Sequence, residues 1–284
     1  MTPIRMAVPN KGRLEDPTAS LLAQAGLRYE KTDRALSVPV RGANVELLFV
    51  RAEDVCELVA DGVAALGVTG LDLVMESELG LDVVCELGYG NCTLTAAAPN
   101  ASEVAGVEDF AGLRIATSHP RSTSRFFTGK GVEITTVPLT GSVEVAPKLD
   151  VADAIVDLVS SGSTLLVNGL RPVVTLLESE AVLVATADRR ADGGDTARVV
   201  TMLRAVVAAR RKRYVLMNAP ADALPLIEEI IPGLDAPSVV PLAGSDHVAV
   251  HSVVDADRLW DVLPRLEAAG ASGILVLPIE QMIP

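Results

Sequence analysis

Short apolar runs alternate with amphipathic stretches from the first residues onward, and this alternation restricts what the chain can fold into more than any other feature. IRMAVP, LEDPTASLLAQAG, VELLFV, AEDVCELVADG and AALGV follow one another before residue 70. The order reads strand, helix, strand, helix, strand, which predicts a largely parallel sheet covered by helices. From Leu94 the pattern restarts, with LTAAAP, LRIATS and VEITTVPL as candidate strands. DAIVDLV, from Asp153, then reads as the start of an amphipathic helix, and AVLVAT as a further strand. A restart of this kind predicts two similar α/β lobes sharing one cleft. VLVATADRR and the helical DTARVVTMLRAVVAARRKR read as a return to the first lobe. Only 3% of residues are aromatic against 49% hydrophobic, so Val, Leu, Ile and Ala must fill the space between these layers.

Beyond Arg210-Arg211-Lys212-Arg213, which reads as a solvated linker, the rhythm changes. YVLMNA reads as a strand, DALPLIEEII as a helix, SVVPLA and HVAVHSVV as strands, DADRLWDVLPRLEAAG as a helix and GILVLPI as a last strand. This βαββαβ order predicts a ferredoxin-like unit, an antiparallel sheet with two helices on one face. The expected divisions are residues 1–94 with a return segment 180–210, residues 95–179, and residues 211–284.

A formal charge of −13 excludes general nucleic-acid binding, which needs clustered cations, so any anionic ligand must be caught locally. No run of about 18 uninterrupted apolar residues occurs. MTPIRMAVPNKGR lacks the apolar core of a signal peptide, so a cytoplasmic chain with no membrane partner is expected. Cys56, Cys85 and Cys92 fit neither a disulfide framework nor a CxxC metal pattern and are expected to be free thiols. His119, His247 and His251 have no metal or triad spacing and are expected to be structural or exposed.

The stretch DAIVDLVSSGSTL carries the chemistry. On a helix, Asp153 and Asp157 share one face, where two carboxylates suit the hydroxyls of a vicinal diol. Ser160-Ser161-Gly162-Ser163-Thr164 then supplies hydroxyls and backbone amides around a glycine that permits close approach, the makings of an anion site. Together they describe a grip on ribose 5-phosphate. The residues alone leave a second reading open, a helix end with Ser and Gly as stop signals.

The longer run EVAPKLDVADAIVDLVSSGSTL, Glu144 to Leu165, closely resembles the phosphoribosyl-pyrophosphate signature of the ATP phosphoribosyltransferase family, which opens histidine biosynthesis. AVPNKGRL, FVRAEDV, GVTGLDLV, LRIATS and NGL resemble the same family in order and spacing, so the likeness spans essentially the whole chain. PGLDAPSVVPL and ILVLPIEQM resemble the regulatory domain of its long form, a hexamer inhibited by histidine. The fold this implies is two periplasmic-binding-protein-like lobes (type II) around a cleft, followed by a ferredoxin-like regulatory domain. In the implied reaction, N1 of the ATP adenine attacks C1 of the ribose of phosphoribosyl pyrophosphate and expels pyrophosphate. That chemistry uses Mg²⁺ and calls for no protein nucleophile or base.

The resemblance also assigns residues. Asp153 and Asp157 hold the ribose hydroxyls, Ser160, Ser161, Gly162, Ser163 and Thr164 wrap the 5-phosphate, and Glu144 faces the Mg²⁺-diphosphate. Lys11, Arg13, Arg34 and Arg51 meet phosphates of ATP or diphosphate. Gly70 permits the turn before Asp72, which accepts from the adenine amino group or a ribose. Asn218, Ser238 and the loop Ala271-Ser272-Gly273 match the region that binds histidine. A homo-oligomer, from dimer to hexamer, is implied. Departures from the family pattern are His119, where some relatives carry Tyr, and Lys148 and Asp150, in a stretch usually more apolar. The alternative reading is a non-catalytic protein that keeps the two lobes, either to clamp a small anion or as a regulatory paralogue.

Overall fold

The computed structural model describes residues 2–31, 35–160, 162–190 and 193–283. Two expected site residues, Arg34 and Ser161, lie outside the described residues.

The first lobe begins with β1 (Ile4–Pro9), α1 (Glu15–Gln24), β2 (Ser37–Pro39), β3 (Val45–Val50), α2 (Val55–Ala60), β4 (Leu66–Gly70), α3 (Leu71–Ser77) and β5 (Asp82–Glu86). The second contains β6 (Cys92–Pro99), β7 (Arg114–Thr117), α4 (Pro120–Gly129), β8 (Thr135–Pro138), β9 (Ala154–Val159), α5 (Ser163–Val167) and β10 (Leu170–Ser179). β11 (Ala181–Ala185) carries the chain back into the first sheet, whose order is β2-β3-β1-β4-β11-β5. The second sheet runs β10-β6-β9-β7-β8. β1 pairs in parallel with β3 and β4, and β7 with β8 and β9, while β11 runs antiparallel to both its neighbours. Central strands are apolar on both faces, as sandwiched strands must be: Met6, Ala7 and Val8 of β1 are all but inaccessible.

DAIVDLV is a strand, not the expected amphipathic helix. A short apolar run is compatible with either form, and the deciding neighbours are distant in sequence. β9 lies between β6, antiparallel, and β7, parallel. Ala154, Ile155 and Val156 are buried in succession, which suits a strand covered on both faces and not a helix with one polar side. β10 was not legible as a strand because Pro172 interrupts it. Proline is tolerated there because β10 is the sheet's edge, and the pairing with β6 shifts register just after it. β2, β5 and the helices α3, α4 and α5 were likewise not anticipated.

α6 (Ala187–Arg190) and α7 (Asp195–Arg210) lead to β12 (Lys212–Pro220), α8 (Leu224–Ile230), β13 (Ser238–Pro241), β14 (His247–Asp255), α9 (Leu259–Ala268) and β15 (Ser272–Pro278). The sheet order β13-β14-β12-β15, antiparallel throughout, is ferredoxin-like. Val215, Met217 and Val250 on one face of it form a core with Ile227, Val262 and Leu266 of the two helices. The basic run is not a linker. Arg210 ends α7, Lys212 opens β12 and pairs with Asp255 at 2.6 Å, and Arg213 donates to backbone carbonyls. The chain divides into two compact units, residues 1–20 with 28–197, and residues 21–27 with 198–284.

Candidate active site

Both lobes present candidate residues at the C-terminal ends of parallel strands, where α/β sheets bind ligands. Lys11 and Arg13 follow β1, Arg51 follows β3, and Gly70 and Asp72 mark the passage from β4 to α3. In the second lobe, Ser118 and His119 follow β7, Glu144 follows β8, and Ser160, Gly162, Ser163 and Thr164 follow β9. The start of β6 and the end of β10 lie side by side at this edge, with Cys92 opposite Ser179. A cavity of about 530 Å³ opens there, lined in part by Leu71, Cys92, Thr93, Ser160 and Ser179.

Asp72 is buried to 1% exposure, and protein groups occupy both its oxygens. Oδ1 accepts from Ser179 Oγ at 2.6 Å and from Arg13 Nη2 at 3.3 Å, and Oδ2 lies 3.3 Å from His119 Nε2. Burial by itself would raise its pKa, but the His119 and Ser179 hydrogen bonds and the Arg13 charge carry it below the ordinary carboxylate value. Asp72 therefore has no oxygen open to an adenine or a ribose, and the expected ligand contact is replaced by a buried structural hub. Gly70 has a related cause: a Cβ there would stand 2.3 Å from Asp72 Oδ1. His119, expected to be structural or exposed, is buried, and its Nδ1 lies 2.9 Å from the exposed Ser118 hydroxyl. Sequence reasoning missed Ser179, which is separated from Asp72 by 107 positions and ends a strand that was itself not read.

The two aspartates of the signature part company because β9 is extended. Four residues of strand span about 13 Å, too far for two carboxylates to share one diol. Asp153, at the entry end of β9, accepts from the Arg114 backbone N–H and guanidinium, and these hydrogen bonds hold its pKa down. Asp157 lies near the exit end, half-buried. Burial pushes its carboxyl above the usual range, and the Glu144 charge pushes the same way. Asp157 thus stands apart from Asp153, with its Oδ1 accepting from the Leu158 backbone N–H at 2.8 Å and the Glu144 charge close enough to act on it.

The hydroxyl turn follows directly. Gly162 sits at φ +74°, a left-handed conformation that favours glycine, and its carbonyl accepts from Leu166 N at 3.2 Å. Ser163 and Thr164 are exposed beside it. Lys11 and Arg51 are exposed at the facing edge, and neither has an acidic partner among the described residues. Lys148, one of the departures, donates to Asn168 Oδ1 at 3.2 Å, and Asp150 takes a left-handed φ of 54° before β9. No cluster of three or more metal-ligating side chains occurs among the described residues.

In the C-terminal unit, Asn218 pairs with Ser272, and its Nδ2 is 3.7 Å from where a Cβ on Gly273 would stand. Ala271 is buried beside them. Ser238 pairs with His251 on β14 and so stands on the far edge strand, with two strands between it and β15.

Residues 51–206 match the family model HisG, described as ATP phosphoribosyltransferase, and residues 209–281 match the HisG C-terminal domain. The first match alone covers more than half of the chain. The chain belongs to the ATP phosphoribosyltransferase family. It is therefore a pentosyltransferase, and its second matched domain is that of the long form. An ATP phosphoribosyltransferase of Natronomonas pharaonis is 44% identical over 282 residues, covering 99% of this chain and 100% of that one. One of Gemmatimonas aurantiaca is 45% identical over 293 residues, with 99% and 100% covered. Among solved structures, the ATP phosphoribosyl transferase (HisG:HisZ) complex from Thermotoga maritima superposes with a TM-score of 0.63 at 27% identity, covering 72% of this chain and 98% of that chain. Against the family pattern, His119 has a structural account here: its ring turns inward to Asp72 and is not exposed to stack on a ligand base. No helix among the described residues is long and apolar enough to cross a membrane.

Proposed function

We propose that the chain transfers the phosphoribosyl group of phosphoribosyl pyrophosphate to N1 of the ATP adenine, releasing pyrophosphate. One observation carries this reading: a half-buried carboxylate, Asp157, stands on the strand that precedes the left-handed Gly162 and the exposed hydroxyls of Ser163 and Thr164. A carboxylate accepts from ribose hydroxyls, and a turn of hydroxyls and amides around a left-handed glycine accommodates the attached phosphate. Lys11, Arg13 and Arg51 supply cations for ATP at the other lobe's strand ends. Arg34 and Ser161 keep the roles that the family resemblance gives them. No covalent intermediate is required, so the protein's work is alignment of two polyanions and stabilisation of the departing charge.

Glu144 and Asp157 fit a Mg²⁺ ion that arrives with the diphosphate. Mg²⁺ is commonly held by one or two carboxylates together with substrate phosphates, and mutual repulsion of two nearby acids is relieved by a cation. The ion would neutralise charge on the leaving group. The non-catalytic alternative is disfavoured by the retention of both the carboxylate and the hydroxyl turn.

Residues 1–94 with 180–210 would form one catalytic lobe, residues 95–179 the lobe that binds phosphoribosyl pyrophosphate, and residues 211–284 a histidine-binding regulatory domain around Asn218, Ser238 and Ala271 to Gly273. Homo-oligomer formation is supported by the uncovered face of the C-terminal sheet, where Leu275 and Val240 are 54% and 50% exposed. The setting proposed is the cytoplasm.

Mixing the purified protein with ATP, phosphoribosyl pyrophosphate and Mg²⁺ should generate the absorbance of an N1-substituted adenine. Asp157→Asn should weaken phosphoribosyl-pyrophosphate binding by about 10- to 150-fold, the worth of one hydrogen bond to a charged group. Undiminished activity in that variant would remove Asp157 from the site.

A further inference from the structure

We propose that Asp72 is a positioning residue, tethered by His119 and Ser179, that aims Arg13 at the ATP phosphates. The inference rests on the role given to Arg13 above, and its geometry is independent of any ligand. Asp72 cannot touch substrate, since it is 1% exposed and both oxygens are engaged by protein. Four segments meet on this carboxylate: the loop after β1 through Arg13, the start of α3 through Asp72 itself, the start of α4 through His119, and the end of β10 through Ser179. The hub therefore ties the two lobes together. Asp72 N also donates to Ser179 Oγ at 3.0 Å, so the carboxylate is fixed from its own backbone as well as from its partners.

Arg13 is the one member that reaches solvent, with 34% of its side chain exposed. Nη1 donates to Gly90 O at 2.6 Å and Nη2 to Asp72 Oδ1 at 3.3 Å. A free arginine explores many rotamers, and the loss of that freedom opposes its capture of a phosphate. Here that ordering is made before substrate arrives, and a guanidinium with five donors keeps others for an anion. Gly70 gives independent support, because any larger residue would displace Asp72 Oδ1.

The test is a double-mutant cycle on the full-length chain, measuring turnover with ATP, phosphoribosyl pyrophosphate and Mg²⁺, with ATP binding followed in parallel by calorimetry. Asp72→Asn should lower kcat/KM for ATP by about 10- to 100-fold, as expected when a charge-assisted hydrogen bond is lost. The KM for phosphoribosyl pyrophosphate should move far less, whereas general damage to the lobes would raise both. Arg13→Ala should cause a similar loss, and adding Asp72→Asn to it should cost less than about 3-fold more, because coupled neighbours are non-additive. Multiplicative losses, or wild-type kinetics in Asp72→Asn, would overturn the proposal. If Asp72→Asn fails to fold, Ser179→Ala and His119→Gln each remove one tether. They should give smaller losses in the same direction, again non-additive with Arg13→Ala, and additive losses refute the tether. A wild-type chain that binds ATP without turnover would refute the transferase reading while the binding cycle still decides the role of Asp72. A chain that neither turns over nor binds ATP refutes both.

Discussion

At the scale of single residues, the site's two central aspartates are perturbed in opposite directions, and their consequences for stability are opposite too. Asp72 has a folded pKa below its ordinary value of 3.8, so it contributes stability that is present above that value and is lost as pH falls through the folded pKa. Asp157 has a folded pKa above 3.8, so its ionised form costs stability once pH has risen through that value, and the cost vanishes in acid. Thermal melts should therefore show Asp157→Asn more stable than wild type at neutral pH, the difference fading as pH falls through the folded pKa and gone below pH 3.8. Asp72→Asn should be less stable at neutral pH, with a deficit that narrows in acid. A gain of stability with a loss of substrate binding at Asp157 is what a site poised for a ligand would give. Gly162→Val separates space from conformation: nothing lies within 4 Å of the added Cβ, but φ is +74°. Its penalty should be about 1–3 kcal/mol of backbone strain, and its KM for phosphoribosyl pyrophosphate should rise more than its KM for ATP.

At the scale of elements, the contact between α3 and α4 holds the two lobes at a second point. The Glu76 carboxylate, on α3, accepts from the backbone N–H groups of Arg121 and Ser122 at 2.9 and 2.8 Å. Those amides open α4, where a helix leaves its first N–H groups unpaired and favours negative charge. The cap of one lobe's helix thus comes from the other lobe, and Arg125 adds a contact back to Glu78 and to the Met75 carbonyl. Glu76→Ala should cost about 0.5–2 kcal/mol, the usual worth of an N-cap, read as a lower denaturation midpoint. An unchanged midpoint would mean that water replaces the carboxylate at no loss. β9 carries the lesson on legibility. Its residues allow either helix or strand, and only the flanking β6 and β7 decide, because they offer unpaired backbone on both sides and an apolar layer on both faces.

At the scale of the whole molecule, regulation is proposed to reside in residues 211–284, whose sheet and two helices share a core of their own. The compact unit that contains them also takes in α7 from Arg198 onward, with Leu203 and Val206 fully buried and Ala205 O accepting from Met282 N. A cut near Arg213 would uncover α7, so point variants are the cleaner test. Asn218→Ala should abolish histidine binding and leave turnover without histidine unchanged, measured by calorimetry and by the absorbance assay. Histidine and phosphoribosyl pyrophosphate should weaken each other by one common factor, about 5–150-fold, as reciprocity of coupling requires. Unequal factors would rule out two linked equilibrium sites.

The chain by itself determined its layered α/β lobes, its ferredoxin-like end and the hydroxyl turn, because hydrophobic period and turn chemistry are local and survive in the linear order. It also exposed the family signature, whose residues are contiguous from Glu144 to Leu165. Tertiary structure alone decided that Asp153 is held by Arg114 while Asp157 lies half-buried near the other end of the strand, because where a carboxylate stands depends on whether its segment is helix or strand. It alone decided that Asp72 is a buried hub, because Ser179, His119 and Arg13 reach it from segments up to 107 positions away, and no periodicity in sequence records a hydrogen bond across that separation.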